Sequence, residues 1–346
     1  MNYKRKEDRG FFDEGFRLEK MSQMSDPLEK LNSRIDWEMF RPMLEENLKK
    51  EDRGQGGCRP YDYVMMFKIL ILQRYYNLAD DKTEFAILDR LSFMRFLGLT
   101  ISDRVPDAKT IWNFREQLTR KDVIEKLFDL FNEELEKKGL MGNEGKMIDA
   151  TFVEVPIQRN TREENKQIKG GTIPEDWQKN RHKLSRKDTD ARWTKKGGKN
   201  FFGYKDHVKA DTKSKLIESY TVTDASVHDS QVVEKLLDES DAGQTLHADS
   251  AYSGVPVAEV VEGKKMISQI HEKGYRDHPL SEKQKEHNRE KSRTRARVEH
   301  IFGFMENSMG GCFIRTIGKA RARAMIGLMN LTYNVFRALQ LGLTAA

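Results

Sequence analysis

Cysteine is scarce in this sequence: Cys58 and Cys312 are the only two among 346 residues. Two isolated cysteines exclude a disulfide framework and a cysteine-rich zinc site. Long apolar runs are also missing, since a stretch such as residues 69–72 is far too short to cross a bilayer. The first 15 residues contain no apolar segment of the kind that a signal peptide needs. We therefore expect a protein of the reducing cytoplasm that has no membrane partner.

Low-complexity tracts and internal repeats are absent as well, and the charge is unevenly distributed. The chain has a net charge of +6 and a pI near 9.0. Residues 157–200 hold 13 Lys and Arg against 6 Asp and Glu, and residues 281–300 hold 7 against 4. The rest of the chain is therefore net acidic. Two localised basic segments indicate an anionic partner such as nucleic acid.

Residues 1–140 are predicted to be all-helical. Residues 61–80 are apolar on nearly every side, which is typical of a helix buried in a core or in a subunit interface. Residues 81–99 and 107–118 predict two further helices joined by a short turn, with Asp107 as the cap of the second one. Helix, turn and capped helix make a helix-turn-helix candidate for DNA binding. An ordinary helical hairpin has the same spacing.

From residue 146 onwards, β-branched and aromatic residues between turn signals predict strands. Strands are expected at residues 146–156, 200–211, 215–226, 245–254 and 265–270. Helices are expected at residues 229–240, 255–264, 281–309 and 319–342, the last one amphipathic. Strands followed by an alternation of helix and strand predict an α/β domain over residues 146–340.

Residues 158–200, between the first two strands, are predicted to be a mobile basic loop that orders on an anionic partner. A plain solvated insertion is the alternative. Trp177 and Trp193 favour contact with a partner, because an exposed tryptophan is costly unless it packs on something such as a base or a sugar.

Two strand carboxylates are candidates for chemistry. Asp149 stands in mid-strand and shares a strand face with Met147 and Thr151. An edge position or a salt bridge would also explain an acid there. Asp249 ends a strand, where an α/β sheet opens its crevice. A turn cap would also explain this second acid.

Glu299 is the third candidate. It lies about 100° round the helix from Val298, on the shoulder of an apolar stripe. Arg295, four residues earlier, could form a weak surface ion pair with it, but small neighbours at Ala296 and Gly303 leave space that a solvated pair does not need. Three such carboxylates suit a two-metal site, since hard divalent cations prefer oxygen ligands and two ions about 4 Å apart stabilise both oxygens of a phosphoryl displacement.

Several segments together resemble a known family. They read IDATFVEVP at 148–156, DARWTKKGGKNFFGYKDHVKAD at 190–211, DASVHDSQ at 224–231, ADSAYSG at 248–254 and RARVEHIFGFMEN at 295–307. The N-terminal segments RPYDYVMMFKILILQRYYNLADDKTEFAILDRLSFMRFLGL and PDAKTIWNFR are similar to the helical region of the same family. The sequence resembles the DDE-class bacterial insertion-sequence transposases, within the insertion-sequence-five family.

The resemblance implies an RNase H-like α/β domain with a mixed sheet over residues 141–346, behind a helical DNA-binding and dimerisation domain over residues 1–140. It implies a catalytic triad of Asp149, Asp249 and Glu299 that binds Mg²⁺ or Mn²⁺. The implied activity is metal-dependent cleavage of double-stranded DNA at the inverted-repeat ends of the element, followed by strand transfer into target DNA. The protein would act as a homodimer or a higher synaptic assembly, associated with the nucleoid.

One departure from a related transposase group affects the DNA contacts. That group has a Tyr-x2-Arg-x3-Glu-x6-Lys signature, of which Arg295 and Glu299 match, while Ser292 and Glu306 replace the Tyr and the Lys. Other side chains must then supply these contacts. The full set of predicted DNA contacts is Arg181, Lys183, Arg186, Trp193, Lys195, Lys196, Lys199, Lys205, Arg293, Arg295, Arg297, His300, Lys109 and Arg115.

Two other functions stay open. The chain could be a non-catalytic helix-turn-helix regulator, although acids at all three triad positions count against it. It could also be an RNase H-like nuclease that hydrolyses DNA without joining ends. His228 and Asp229 are interpreted as residues that structure a loop, in preference to residues that position a substrate.

Overall fold

The structure, a computed structural model, describes residues 12–49, 59–142, 144–275 and 277–343. Cys58 lies outside these residues, and so do residues 1–11, which are most of the segment that was examined for a signal peptide. The N-terminal part folds into helices α1 Asp13–Gln23, α2 Pro27–Arg34, α3 Arg41–Leu48, α4 Tyr63–Tyr75, α5 Asp80–Asp89, α6 Leu91–Leu97, α7 Ala108–Arg120 and α8 Val123–Lys137. None of the helices in the described part of the chain is long and apolar enough to cross a membrane.

The C-terminal part combines strands and helices. In chain order they are β1 Lys146–Glu154, α9 Arg162–Lys169, α10 Glu175–Lys179, α11 Arg181–Leu184, β2 Arg192–Lys196, β3 Lys199–Asp211, β4 Ile217–Asp224, α12 Val233–Leu236, β5 Thr245–Ala248, α13 Val255–Gly263, β6 Ile267–Ile270, α14 Glu282–Arg295, α15 Val298–Asn307 and α16 Lys319–Gln340. The five predicted strands are all present, and the predicted α/β class behind a helical region is confirmed.

The strands form one mixed sheet. β3 runs antiparallel to β1 along one edge and antiparallel to β2 and β4 along the other. β5 runs parallel to β1, and β6 runs parallel to β5. Side chains alternate between the faces, so Met147 and Asp149 lie on what we call the front face, which packs against α8, α15 and α16. Ile148 lies on the back face, which packs against α12 and α13.

Helix α16 was predicted to be amphipathic, but it is buried on nearly every side. Leu328 and Val335 are buried in the core as predicted, but Asn330 and Asn334 are fully buried too. The helix lies between the front face and the N-terminal helices α4, α7 and α8, so both of its sides meet protein. Both amide nitrogens donate within the core: Asn334 Nδ2 to Asn132 Oδ1 at 2.9 Å and Asn330 Nδ2 to Asp206 Oδ1 at 3.1 Å.

The prediction that residues 158–200 form a mobile loop is wrong. The segment contains α9, α10, α11 and β2. At the start of α9, Thr161 Oγ1 accepts the Glu164 N–H at 3.1 Å and the Glu164 carboxylate accepts the Thr161 N–H at 2.8 Å, which is a capping box. Trp177 is not exposed as predicted but fully buried, and its indole N–H donates to Glu164 at 2.7 Å. We refer to this folded segment as the basic insertion.

The capping box gives a test of the folded insertion. Replacing Thr161 by alanine is expected to lower the local stability of α9 by about 1 kcal/mol, because one helix N–H loses its acceptor. Amide hydrogen exchange in α9 should then accelerate about fivefold. Thr172→Ala is the matched control, since Thr172 is an exposed threonine of the same insertion that lies outside any helix. Equal exchange in both variants would contradict the capping role.

The single helix predicted over residues 281–309 is also wrong, because it breaks between α14 and α15. If α14 and α15 were one straight helix, the side of α14 that contacts the protein and the side of α15 that contacts the core would point about 90° apart. The break lets each helix turn its own side inward. α15 buries Val298, Ile301 and Met305 in the core, as predicted. α14 has no buried residue and is attached by polar side chains. Asn288 bonds both the N–H and the carbonyl of Glu272 at 2.9 Å each.

The helix-turn-helix candidate has a broken first helix. The helix predicted over residues 81–99 is interrupted at Arg90, which is extended, and becomes α5 and α6. Asp107 caps α7 as predicted, because its carboxylate accepts the Thr110 N–H at 2.6 Å. The Glu84 carboxylate of α5 accepts the Ala108 N–H at 2.8 Å and so links α5 to α7. A role of this unit in DNA binding stays a prediction.

Candidate active site

Asp149 and Asp249 lie next to each other on the front face. β1 and β5 pair in parallel with Met147 opposite His247. Continuing this register by two residues sets Asp149 beside Asp249, which follows the last residue of β5. Neighbouring strands are about 4.8 Å apart, so the two carboxylates share one small region. Asp149 is only 6% exposed, and Asp249 also caps a short turn by accepting the Ala251 N–H at 2.7 Å.

Helix α15 carries Glu299 to the same place, and Arg295 of α14 connects Glu299 with Asp149. The Arg295 guanidinium donates to Asp149 Oδ2 at 2.7 Å and to Glu299 Oε1 at 3.3 Å. The Glu299 side chain is 64% exposed. The ion pair between Arg295 and Glu299 that the spacing indicates is therefore present. Arg295 also binds the buried carboxylate of Asp149, 146 positions earlier in the chain. Arg295 thus pairs with two of the three carboxylates, and the negative charge of Asp249 acts on it as well.

The electrostatics of the site follow from burial and from this convergence. Burial raises the pKa of the Asp149 carboxyl, and the negative charge of Asp249 raises it further. The Arg295 guanidinium and the Ala150 N–H oppose these effects in part. Burial alone would lower the pKa of Arg295, but the carboxylates of Asp149, Asp249 and Glu299 raise it overall. The Arg295 guanidinium therefore supplies a positive charge beside the acids of the site.

The donor set fits a divalent cation in its chemistry. All three groups are carboxylates, which are the ligands that hard divalent cations prefer. Among the residues that the structure describes, no three Asp, Glu, His or Cys side chains stand close enough to hold a metal ion as they are. Arg295 supplies the positive charge in this arrangement. Binding of a metal ion by Asp149, Asp249 and Glu299 would require the guanidinium to move.

Comparison with protein families identifies the family of this chain. Residues 142–335 match the family model described as "Transposase DDE domain", and residues 16–117 match "Transposase domain (DUF772)". The chain belongs to the DDE transposase family. Among solved structures, the chain is similar to a piggyBac transposase synaptic complex with hairpin DNA, at 12% identity and a TM-score of 0.44, over 93% of this chain and 76% of that one.

The family membership confirms the expected function. The protein is a DNA transposase, and as an enzyme it is a polynucleotidyl transferase. Its six-stranded mixed sheet, in which β1, β2 and β4 run antiparallel to β3 while β5 and β6 run parallel to β1, agrees with the RNase H-like mixed sheet that the family resemblance implied. The family implies that catalysis depends on a divalent metal.

Most of the predicted DNA contacts of the transposase are at its surface. In the basic insertion and at the start of β3, the exposed ones are Arg181, Arg186, Trp193, Lys195, Lys196 and Lys199. Elsewhere, the exposed ones are Lys109, Arg293, Arg297 and His300. Lys183 is half-buried and pairs with Glu164 at 3.3 Å. Arg297 also donates to the Thr212 carbonyl at 2.9 Å.

Two predicted DNA contacts point into the protein. Lys205 is 8% exposed and donates to Asp229 at 2.8 Å. Arg115 donates to both carboxylate oxygens of Asp80, at 2.7 and 2.9 Å. Both charges are engaged in internal ion pairs, so we leave the two residues out of the DNA surface proposed below. Asp229 is the partner of Lys205, and His228 accepts the Ser230 N–H at 3.3 Å, which agrees with the loop-structuring interpretation of both.

Sequence reasoning missed one part of the site. It placed Arg295 among the DNA contacts and recognised its spacing to Glu299, but it gave no sign of the bond to Asp149. It also missed Tyr252, which is fully buried next to the site. Burial raises the pKa of this phenol well above its usual value, and the carboxylates of Asp149, Asp229 and Asp249 add to the effect. A tyrosine three residues after a candidate ligand was the only available signal.

Proposed function

We propose that the transposase cleaves DNA at the ends of its element and joins them to target DNA, with Asp149, Asp249 and Glu299 as the residues that hold Mg²⁺ or Mn²⁺. The observation that carries this proposal is the juxtaposition of the three acids: Asp149 and Glu299 both pair with Arg295, and the β1–β5 register sets Asp249 beside Asp149. A protein that only bound DNA would have no need of a buried aspartate in its sheet with a second aspartate beside it.

Each residue has a distinct part in this proposal. When bound, a divalent cation supplies charge stabilisation to the oxygens that attack and leave a phosphorus atom. Asp149 and Asp249 offer their oxygens from rigid strands, whereas Glu299 offers its carboxylate from an exposed helix face. Once Arg295 no longer balances these acids, its guanidinium is free to donate two parallel hydrogen bonds to a DNA phosphate.

The partners follow from the family and from the charge distribution. We propose that the substrate is double-stranded DNA, namely the inverted-repeat ends of the element and a target site, and that the protein works as a homodimer or a higher synaptic assembly. Membership of the insertion-sequence-five family, association with the nucleoid and a division of labour between residues 1–140 and 141–346 are parts of the same proposal. The basic insertion and the start of α15 would hold the DNA backbone.

The experiment that tests the function uses a supercoiled plasmid carrying the gene with its native flanks. Purified protein is added with Mg²⁺ or with Mn²⁺, and the DNA ends are sequenced. Breaks at the flanks together with joined products would support the proposal. Breaks without joining would favour a nuclease, and tight binding without breaks would favour a regulator. The comparison of the two metals decides which cation serves.

A prediction for the DNA surface concerns Arg293. Replacing this exposed arginine by alanine is expected to weaken binding of duplexes of any sequence and to reduce the slope of log affinity against log salt by about 0.9, because one phosphate contact is lost. The measurement is a salt titration of duplex binding by fluorescence anisotropy. Lys235→Ala is the control, since Lys235 is exposed on α12 at the back face. An unchanged slope for Arg293→Ala would remove this residue from the DNA surface.

A further inference from the structure

A cleft lies between α9 of the basic insertion and the strands β2 and β3. Its volume is about 250 Å³, which is slightly below the roughly 300 Å³ at the lower end of pockets for whole drug-sized ligands. Asn165, Ile168 and Lys169 of α9 form one wall, and Trp193 with Phe202 forms the other. Such a space suits a single flat ring system with a charged group outside it.

The Trp193 ring is the main feature of the cleft. The residue is 42% exposed, and its ring contacts Phe202 with 5.0 Å between the ring centroids. The insertion uses its other tryptophan differently, because Trp177 is fully buried and has its indole N–H bonded to Glu164. Aromatic surface left open beside lysines is typical of sites where nucleic acid bases stack.

The opposite wall supplies polar groups. Asn165 Oδ1 accepts a hydrogen bond from Asn160 at 3.2 Å. The amide nitrogen of Asn165 therefore points away from Asn160 and can donate to a ligand. Carboxamides are side chains that bind the edges of bases. Lys169 is exposed at the rim, and Lys195 is exposed on β2 next to Trp193. These ammonium groups can contact the phosphates on either side of a base.

The cleft is held in shape by bonds within the protein. The Arg192 guanidinium donates to the carbonyl of Ile168 at 3.2 Å and to that of Thr189 at 2.6 Å, which ties the end of α9 to β2. The buried Asp188 carboxylate accepts the Tyr204 hydroxyl at 2.9 Å and the Ala191 N–H at 3.0 Å. A preformed cleft spends little free energy on ordering when a ligand enters.

The cleft also faces the same way as the candidate active site. Trp193 pairs with Phe202, and Asp149 pairs with Val208, so both residues point to the front face. Six residues of β3 and two strand spacings separate them, which corresponds to about 20 Å. At 3.4 Å per nucleotide along one strand, this is about six nucleotides of DNA.

We propose that the cleft takes one unpaired base of the DNA on which the transposase acts, stacked on Trp193. The inference rests on the proposed DNA surface of the basic insertion. A paired base inside a duplex cannot enter such a cleft, so the base must already be unpaired or must leave the stack. The ligand is therefore defined by its flat ring and its flanking phosphates.

The test compares two duplexes that differ by one extra unpaired thymine. Wild-type protein is expected to bind the bulged duplex more tightly than the fully paired one. Trp193→Ala is expected to weaken binding of the bulged duplex by roughly five- to 150-fold, the effect of losing one base–aromatic stack, and to weaken binding of the paired duplex much less, so that the preference is lost. Trp193→Phe should keep most of the preference. With 5-bromouracil in place of the unpaired thymine, ultraviolet crosslinking should occur at residue 193.

Trp112→Ala is the matched control, because Trp112 is 41% exposed but lies on α7, and this variant should keep the full preference. Equal binding of both duplexes by the wild type would overturn the proposal for the cleft but not the proposed DNA surface. A preference for the bulged duplex that survives Trp193→Ala would do the same. No binding of either duplex would overturn the DNA surface together with the cleft.

Discussion

Glu299→Gln is expected to abolish both DNA cleavage and strand transfer, while DNA binding and the unfolding temperature stay at wild-type values. Glutamine keeps the size of the side chain but removes its negative charge, so the proposed metal site loses one of three anionic ligands. Metal ions contribute several kcal/mol of charge stabilisation in such reactions, which corresponds to a rate loss of about a thousandfold or more. Because Glu299 is exposed, the substitution should leave the fold intact.

The measurement is the plasmid assay, run beside calorimetric titration with Mn²⁺. Glu286→Gln is the control, because Glu286 is an exposed helical glutamate on α14 outside the site. Loss of activity together with weakened Mn²⁺ binding would establish Glu299 as a metal ligand. Activity within a few-fold of the wild type would return Glu299 to a surface ion pair with Arg295 and would place the third ligand elsewhere.

A second large effect is expected for Asp206→Asn, which should stabilise the protein above neutral pH. Asp206 is fully buried on the front face and accepts one hydrogen bond from Asn330 at 3.1 Å. Burial raises the pKa of its carboxyl to about 7, although the Asn330 bond opposes this. In the unfolded chain the pKa is about 3.9. The favourable contribution of the protonated acid is therefore complete below about pH 4 and is lost as the pH rises to about 7.

Asparagine at position 206 does not titrate, so it avoids this loss. The difference in the free energy of unfolding between Asp206→Asn and the wild type should grow by about 2–3 kcal/mol from pH 5 to pH 8, measured by urea denaturation. Asp211→Asn is the control. Asp211 is buried on the same strand, but its carboxylate accepts the Ser214 hydroxyl at 2.7 Å and the Lys213 N–H at 3.0 Å, so asparagine should destabilise. A difference for Asp206→Asn that does not change with pH would contradict the buried-acid interpretation.

The sequence was sufficient to predict the strands that carry the site. β1 and β5 were visible from their β-branched and apolar residues, and Asp149 and Asp249 stood out as acids in or just after such strands. The buried stripe of α15 was predictable from its 3.6-residue period, and this period placed Glu299 beside the core. These predictions succeeded because each depends on a short local pattern.

Other features could not be read from local patterns. The fold of the basic insertion depends on Trp177, whose burial is decided by Glu164 and by two short helices that a polar composition conceals. The break between α14 and α15 depends on which neighbour each segment meets. The ion pairs of Lys205 and Arg115 depend on partners 24 and 35 positions away. A basic residue looks the same in the sequence whether it faces DNA or an internal acid.

The polar attachment of α14 has a thermodynamic consequence. Gln284 donates to Glu272 at 2.6 Å and Lys291 donates to the Ile270 carbonyl at 3.0 Å, and water can replace every bond of this kind at small net cost. Because α14 hides no apolar side chain, its separation from β6 exposes little surface that water disfavours. Up to Arg295, whose pair with Asp149 holds its last turn, α14 can therefore open at low free energy while the core below it stays folded. The candidate active site thus has one acid fixed in the sheet and an arginine at the end of a helix whose earlier turns separate easily.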